Sequence, residues 1–259
     1  MATVLQSAVR PRSSGLSWFN IVRLGTVQAA IGAIVMLATS LLNRVMVVEY
    51  AVAAAVPAAL VAWHYAVQLS RPLWGHKSDQ STRRSPWIIG GLGVLALGAI
   101  LAVDATIMMA QAGIAALLLA MVSFTMIGLG VGISGTALLA LLASRVSVER
   151  KPAAAAISWT MMVAGIVIAA GLSGAYLDPF SEPRLAIVAS LVALIAFCLA
   201  MLALRGVEDN NPVVHRPQSD HQSEDFVTVL KDIWRDREAR RFTYFVFISM
   251  LAYSMQDLI

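Results

Sequence analysis

Residues 112–143 read AGIAALLLAMVSFTMIGLGVGISGTALLALLA, 32 positions without a single Asp, Glu, Lys, Arg or His. Roughly 20 apolar residues carry a helix across a bilayer core. The stretch therefore predicts a membrane span that tilts or reaches beyond the hydrocarbon. Arg145, Glu149, Arg150 and Lys151 end it, and Pro152, suited to a first helical turn, opens the next span, which runs to about residue 176. A turn from Asp178-Pro179 to Pro183 leads into 185–204. Toward the N-terminus the apolar runs are 87–103, ending at Asp104; 50–69, holding Pro57 and His64; and 24–42, stopped by Asn43 and Arg44. Six spans result, followed by a polar segment over 205–241 and a seventh apolar stretch at 242–259.

Composition agrees. Hydrophobic residues make up 59% of the 259 and charged residues 13%, about half the charge of a soluble domain, which excludes that class. One cysteine, Cys198, excludes a disulfide framework. The net charge of +4 does not imply nucleic acid, because the basic residues fall in short clusters between apolar runs. Of the 19 Lys and Arg, 17 fall on one side of the alternating spans, leaving Arg44 and Arg184 opposite. The positive-inside rule then places the N-terminus and the polar segment in the cytoplasm. Residues 1–23 read as a cytoplasmic tail, with no long apolar core or cleavage site of a signal peptide.

Within the linker 206–241, residues 210–222 read as a flexible connector, and Ser223 is placed to cap a helix over about 223–238. Phe226, Leu230, Ile233 and Trp234 share one face of it, opposite Lys231, Asp232, Arg235 and Asp236. Such a helix either lies on the inner leaflet, docks a partner, or packs as a lid on the bundle.

The loop after the second span runs Gly75-His76-Lys77-Ser78-Asp79-Gln80-Ser81-Thr82-Arg83-Arg84. Gly75 permits close backbone approach, Asp79 suits a helix end or a basic partner, and Arg83 and Arg84 suit an anionic leaflet. Glycine, an aspartate four residues on and a basic pair beyond it resemble the signature loop of the major facilitator superfamily. That resemblance implies an all-α polytopic fold: the six-helix N-terminal half of a facilitator at 24–205, with the start of a seventh helix at 242–259.

Three further blocks, 42–49 (LNRVMVVE), 83–91 (RRSPWIIGG) and 250–259 (MLAYSMQDLI), resemble the PucC/LhaA family of phototrophic bacteria, a facilitator branch. The first block contains Asn43, Arg44 and Glu49. The resemblance implies an assembly factor in the bacterial inner or photosynthetic membrane, handling bacteriochlorophyll, antenna polypeptides or both alongside the pigment-synthesis machinery; that it is not an enzyme is expected because no catalytic set of residues is visible in the sequence. Some members carry a bacteriochlorophyll synthase label. Family chains continue for about six more spans, so this chain reads as a fragment or a truncated gene product.

Ion-coupled carriers need ionisable groups near the midplane, and the span centres here hold no Asp, Glu, Lys or Arg. A large apolar ligand or a protein helix therefore fits better than a coupling ion. The class alternative is a secondary transporter of an apolar or amphipathic small molecule. His64, the one imidazole in a span, with Gln68 a turn on, is the candidate bacteriochlorophyll ligand; its commoner role is a hydrogen-bonded histidine inside a bundle. No histidine shows metal-ligand spacing. Arg44 and Glu49 suit a salt bridge or a headgroup contact. Gly130, Gly132 and Gly135 match a dinucleotide fingerprint, but no strand precedes them. Gly128 with Gly132, and Gly171 with Ala175, instead make small-residue seams for helix packing.

Overall fold

The computed structural model describes residues 15–110, 113–208 and 226–254, and all secondary structure among them is helical. Among the described residues, five helical segments, Trp18–Val48, Ser85–Met108, Gly113–Arg145, Val148–Tyr176 and Glu182–Leu204, are long and apolar enough to cross a membrane. The chain is thus a polytopic all-α membrane protein.

The first segment is longer than the apolar run 24–42. Helix α1 (Trp18–Met36) starts where the Ser17 hydroxyl accepts the N–H of Asn20 at 3.3 Å. A π-helical stretch, Leu37–Leu41, then passes directly into α2 (Leu42–Val48). Asn43 and Arg44 therefore lie inside a helix rather than at its end, and Glu49 is its C-cap.

The second apolar run is divided. Helix α3 (Ala55–Val67) spans 13 residues, a 3₁₀ turn follows at Gln68–Ser70, and α4 (Arg71–Asp79) continues at once. Pro72 explains the break, since it has no N–H to donate to the carbonyl of Gln68. The loop expected between spans is thus largely helix, and Gly75 to Asp79 belong to it.

Helices α5 (Ser85–Met108) and α6 (Gly113–Arg145) pack closely at the centre of the bundle. A Cβ on Gly130 would stand 2.5 Å from the backbone N of Leu95, and one on Gly91 would stand 2.6 Å from that of Ser134. Helix α7 (Lys151–Tyr176) packs along α1, where Gly165 sits against the backbone of Ala29. Helix α8 (Glu182–Leu204) closes the bundle beside α1 and α5, its N-terminus capped by Ser181. Without a hydrophobic drive between helices in lipid, such close backbone approach is what lets them associate. Of the expected seams, Gly128 does pack, its added Cβ falling 2.7 Å from the carbonyl oxygen of His64. The Gly171–Ala175 seam is not formed: nothing lies within 4 Å of a Cβ on Gly171, and both residues face outward.

A second compact unit holds α9 (Phe226–Arg235) and α10 (Arg237–Ser254). The helix expected over 223–238 ends early, at Arg235, because Asp236 caps the next one: its Oδ1 accepts the N–H of Glu238 at 2.9 Å. The proposed cap Ser223 and the side chain of Phe226 lie outside the described residues.

Candidate functional site

Four helix ends meet around the facilitator-like loop. The Arg84 guanidinium binds Asp79 at 2.7 Å, donates to the Ser144 hydroxyl at 2.7 Å and reaches the Ala140 carbonyl at 3.4 Å. It is thus turned inward against α6, where the sequence placed it on the leaflet. The reason is geometric: a planar fork with several donors engages a carboxylate, a hydroxyl and a backbone carbonyl together. Gly75 faces α6 as well, a Cβ there falling 3.3 Å from the Thr136 methyl. The Trp87 indole donates to Ser81 at 2.8 Å, and the Lys77 ammonium lies 5.2 Å over the Trp74 ring.

The sequence reading missed Glu208. One of its carboxylate oxygens accepts the backbone N–H of Arg84, and the other that of Ser85, both at 2.9 Å. Position 84 is the N-cap of α5, but an arginine side chain has no acceptor to offer, and Pro86 occupies the first turn. A carboxylate 124 residues away supplies the cap. Burial alone pushes the Glu208 carboxyl up, yet the N–H groups of Arg84 and Ser85 and the charge of Arg145 outweigh it and hold it below the ordinary glutamate value. A signal was present: Glu208 is the first carboxylate after the sixth apolar run, three residues past the basic Arg205. Beside it, Arg83, Arg205 and Glu208 line a cavity of about 450 Å³ between α5 and the end of α8.

His64 is 1% exposed. Its Nε2 lies 2.8 Å from the Gln68 side-chain nitrogen, and Gln68 Oε1 in turn accepts from Arg71. The arginine fixes the amide orientation, so the amide donates to Nε2, and the imidazole proton sits on Nδ1, which has no partner among the described atoms. A magnesium ligand at Nε2 would first have to break the Gln68 bond and uncover the ring. Next to it, the Trp63 indole donates to Thr125 at 2.8 Å, fastening α3 to α6.

Arg44 and Glu49 do not pair; both are exposed, and five residues along a helix point them to different faces. At that end the bond that forms is from the Tyr50 hydroxyl to Glu182, at 3.0 Å. Asn43 is half-buried. Leu230, Ile233 and Trp234 of α9 are half-exposed.

Residues 41–259 match the protein family described as "PUCC protein". The chain is 46% identical to the bacteriochlorophyll synthase 44.5 kDa chain of Rhodobacter capsulatus, over 94% of its own length and 56% of the relative's. It is 32% identical to Protein PucC of Rhodobacter capsulatus, over 71% of its length and 43% of the relative's. With Protein PucC of Cereibacter sphaeroides it shares 31% identity, over 74% and 44% respectively. The chain spans about half the length of the curated relatives it matches. No solved structure matches it. With a match that runs from the second half of the first membrane helix to the last residue, the chain belongs to the PUCC protein family.

Proposed function

We propose that the chain acts as a membrane assembly factor for photosynthetic light-harvesting complexes, handling bacteriochlorophyll, antenna polypeptides or both. The observation that carries this reading is the family match over 41–259, joined to relatives named Protein PucC and bacteriochlorophyll synthase chain. Physical chemistry supports it. The span centres hold no Asp, Glu, Lys or Arg to couple transport to an ion gradient. The outer faces of α7 and α8 present Val167, Ile168, Leu172, Leu191, Leu194 and Leu202, surface suited to lipid, an apolar pigment or another transmembrane helix. The carboxylates Asp79 and Glu208 serve as an ion-pair partner and a helix cap, which favours a non-catalytic role. In this reading residues 24–205 are the N-terminal half of a facilitator-type fold in the inner membrane, the N-terminus is cytoplasmic, and 242–259 begins a seventh span.

Affinity capture of the tagged chain from phototroph membranes tests the proposal. Bacteriochlorophyll or antenna polypeptides in the eluate at constant ratio are expected. Solute flux in proteoliposomes, with neither pigment nor antenna bound, would overturn it in favour of a secondary transporter.

A further inference from the structure

The α9–α10 unit has a geometry that its sequence periodicity alone does not contain. Residues ten apart on one straight helix are separated by about 15 Å along its axis. The rings of Trp234 and Tyr244 nevertheless meet edge to face, with centroids 6.0 Å apart. The chain therefore turns between them, and the turn is at Asp236: its N–H donates to Asp232, its carbonyl accepts from Arg240, and its side chain caps α10. An aromatic contact on one side and a helix cap on the other hold α9 at an elbow to α10.

Two surfaces follow from that elbow. Val227, Leu230, Ile233 and Trp234 are 46% to 51% exposed along one side of α9, an apolar stripe that α10 leaves half-open. Around the elbow, residues 231–241 hold the five basic residues Lys231, Arg235, Arg237, Arg240 and Arg241 against three acids. Beyond them α10 turns apolar, with Phe242, Phe245, Phe247 and Ile248 each more than 60% exposed. An apolar stripe beside excess positive charge, joined to a helix apolar on several faces, complements one kind of surface: a bilayer with anionic headgroups. A protein lid would instead have to bury the stripe.

We propose that α9 is an interfacial anchor. It lies in the headgroup layer of the membrane that α10 enters, its Leu230–Ile233–Trp234 stripe at the acyl boundary and the basic residues of the elbow on anionic lipid. The anchor sets the depth and direction at which the chain enters the bilayer after the linker, independently of what the protein assembles or carries.

The test uses the whole chain. Cys198 is its only cysteine, so Cys198→Ser gives a background for nitroxide labels at Leu230→Cys and Ile233→Cys on the stripe, and at Lys231→Cys and Arg235→Cys opposite. Each variant is reconstituted in phosphatidylcholine vesicles with and without phosphatidylglycerol. With phosphatidylglycerol, the ratio of oxygen to nickel-chelate accessibility is expected to be several-fold higher at 230 and 233 than at 231 and 235. Lys231→Gln with Arg235→Gln, labelled at 230, should shift toward the values seen without phosphatidylglycerol. Equal accessibility on both sides means a solvated helix, and stripe labels closed to both reagents mean a protein-docked one; either overturns the proposal. A pattern unchanged by phosphatidylglycerol overturns the recognition of anionic lipid.

Discussion

The Glu208 carboxylate accepts the Arg84 backbone N–H at 2.9 Å across 124 residues of sequence. It thereby closes the N-terminus of α5 from the far end of α8, so that the last helix of the bundle and the facilitator-like loop share one polar junction. A charged acceptor at the positive end of a long helix is favourable twice over, as a cap and against the helix dipole.

Replacing Glu208 by Ala leaves the N–H groups of Arg84 and Ser85 without that acceptor. The expected loss is about 1 kcal/mol, the usual worth of a cap, with partial exposure holding it near the lower part of the range. Glu208→Gln should lie between wild type and Ala. Thermal unfolding in detergent, followed by circular dichroism, reads the order; an Ala variant as stable as wild type removes the capping role.

The same group sets a pH dependence. Its folded value lies below the ordinary glutamate value, so the unfolded chain binds the proton more readily as the medium is acidified. The stabilisation is complete above the ordinary carboxylate range and is lost as pH falls through the depressed folded value. The stability gap between wild type and Glu208→Gln should therefore narrow on acidification. A gap that widens toward acid would contradict the shift.

Arg84 and Asp79 form an ion pair but are not energetic equals. Asp79 is 60% exposed, and Arg84 also holds Ser144 and Ala140. Asp79→Asn is expected to cost no more than about 0.5 kcal/mol, as for a surface pair. Arg84→Lys keeps the charge but loses the fork and should cost about 1–2 kcal/mol. The comparison of midpoints decides; equal losses would mean that the pair, not the inward contacts, matters.

Gly130→Ala and Gly165→Ala each drive a methyl into backbone, at Leu95 and Ala29 respectively. No rotamer relieves such a clash, so a loss of about 2–3 kcal/mol or a failure to fold is expected. Gly171→Ala meets nothing within 4 Å and should be neutral or stabilising by up to about 1 kcal/mol, because alanine favours the helix. Fluorescence-detected size-exclusion after heating ranks the three; a Gly171→Ala variant as damaged as Gly130→Ala would refute the packing assigned here.

For His64, burial and an occupied Nε2 lead to a structural expectation. His64→Ala should lower stability by about 1–3 kcal/mol, through lost packing and an orphaned Gln68 amide, and leave any co-purified pigment per protein unchanged. Absorbance of the purified variant checks the second part. Loss of pigment with an intact fold would make His64 a ligand.

Five of the six expected spans were legible because they are set by composition: an uncharged run such as 112–143 has no alternative in water, and basic clusters such as Arg83-Arg84 and Arg150-Lys151 mark where such runs stop, whereas the run 50–69 holds only the 13-residue α3 and part of a 3₁₀ turn. The facilitator-like loop was legible too, as a spacing of Gly75, Asp79 and a basic pair. Its inward turn was not, because Ser144 and Glu208 lie about 60 and 124 residues away from Arg84. The Arg44–Glu49 pairing failed for a local reason, since residues five apart on a continuous helix do not face each other.

By itself, the sequence determined that this chain is a helical membrane protein, where its basic clusters fall between the apolar runs, and which family it resembles. These depend on hydropathy, charge counts and short motifs, all properties of neighbours along the chain. Only the tertiary structure decided which glycines let helices touch, that Arg84 points into the bundle, that Glu208 caps a helix far from it in sequence, and that α9 meets α10 at an elbow. Each of those depends on where distant backbone donors and acceptors come to rest. Once the helices have packed, a polar group left without water must find its partner through space, whatever its distance along the chain.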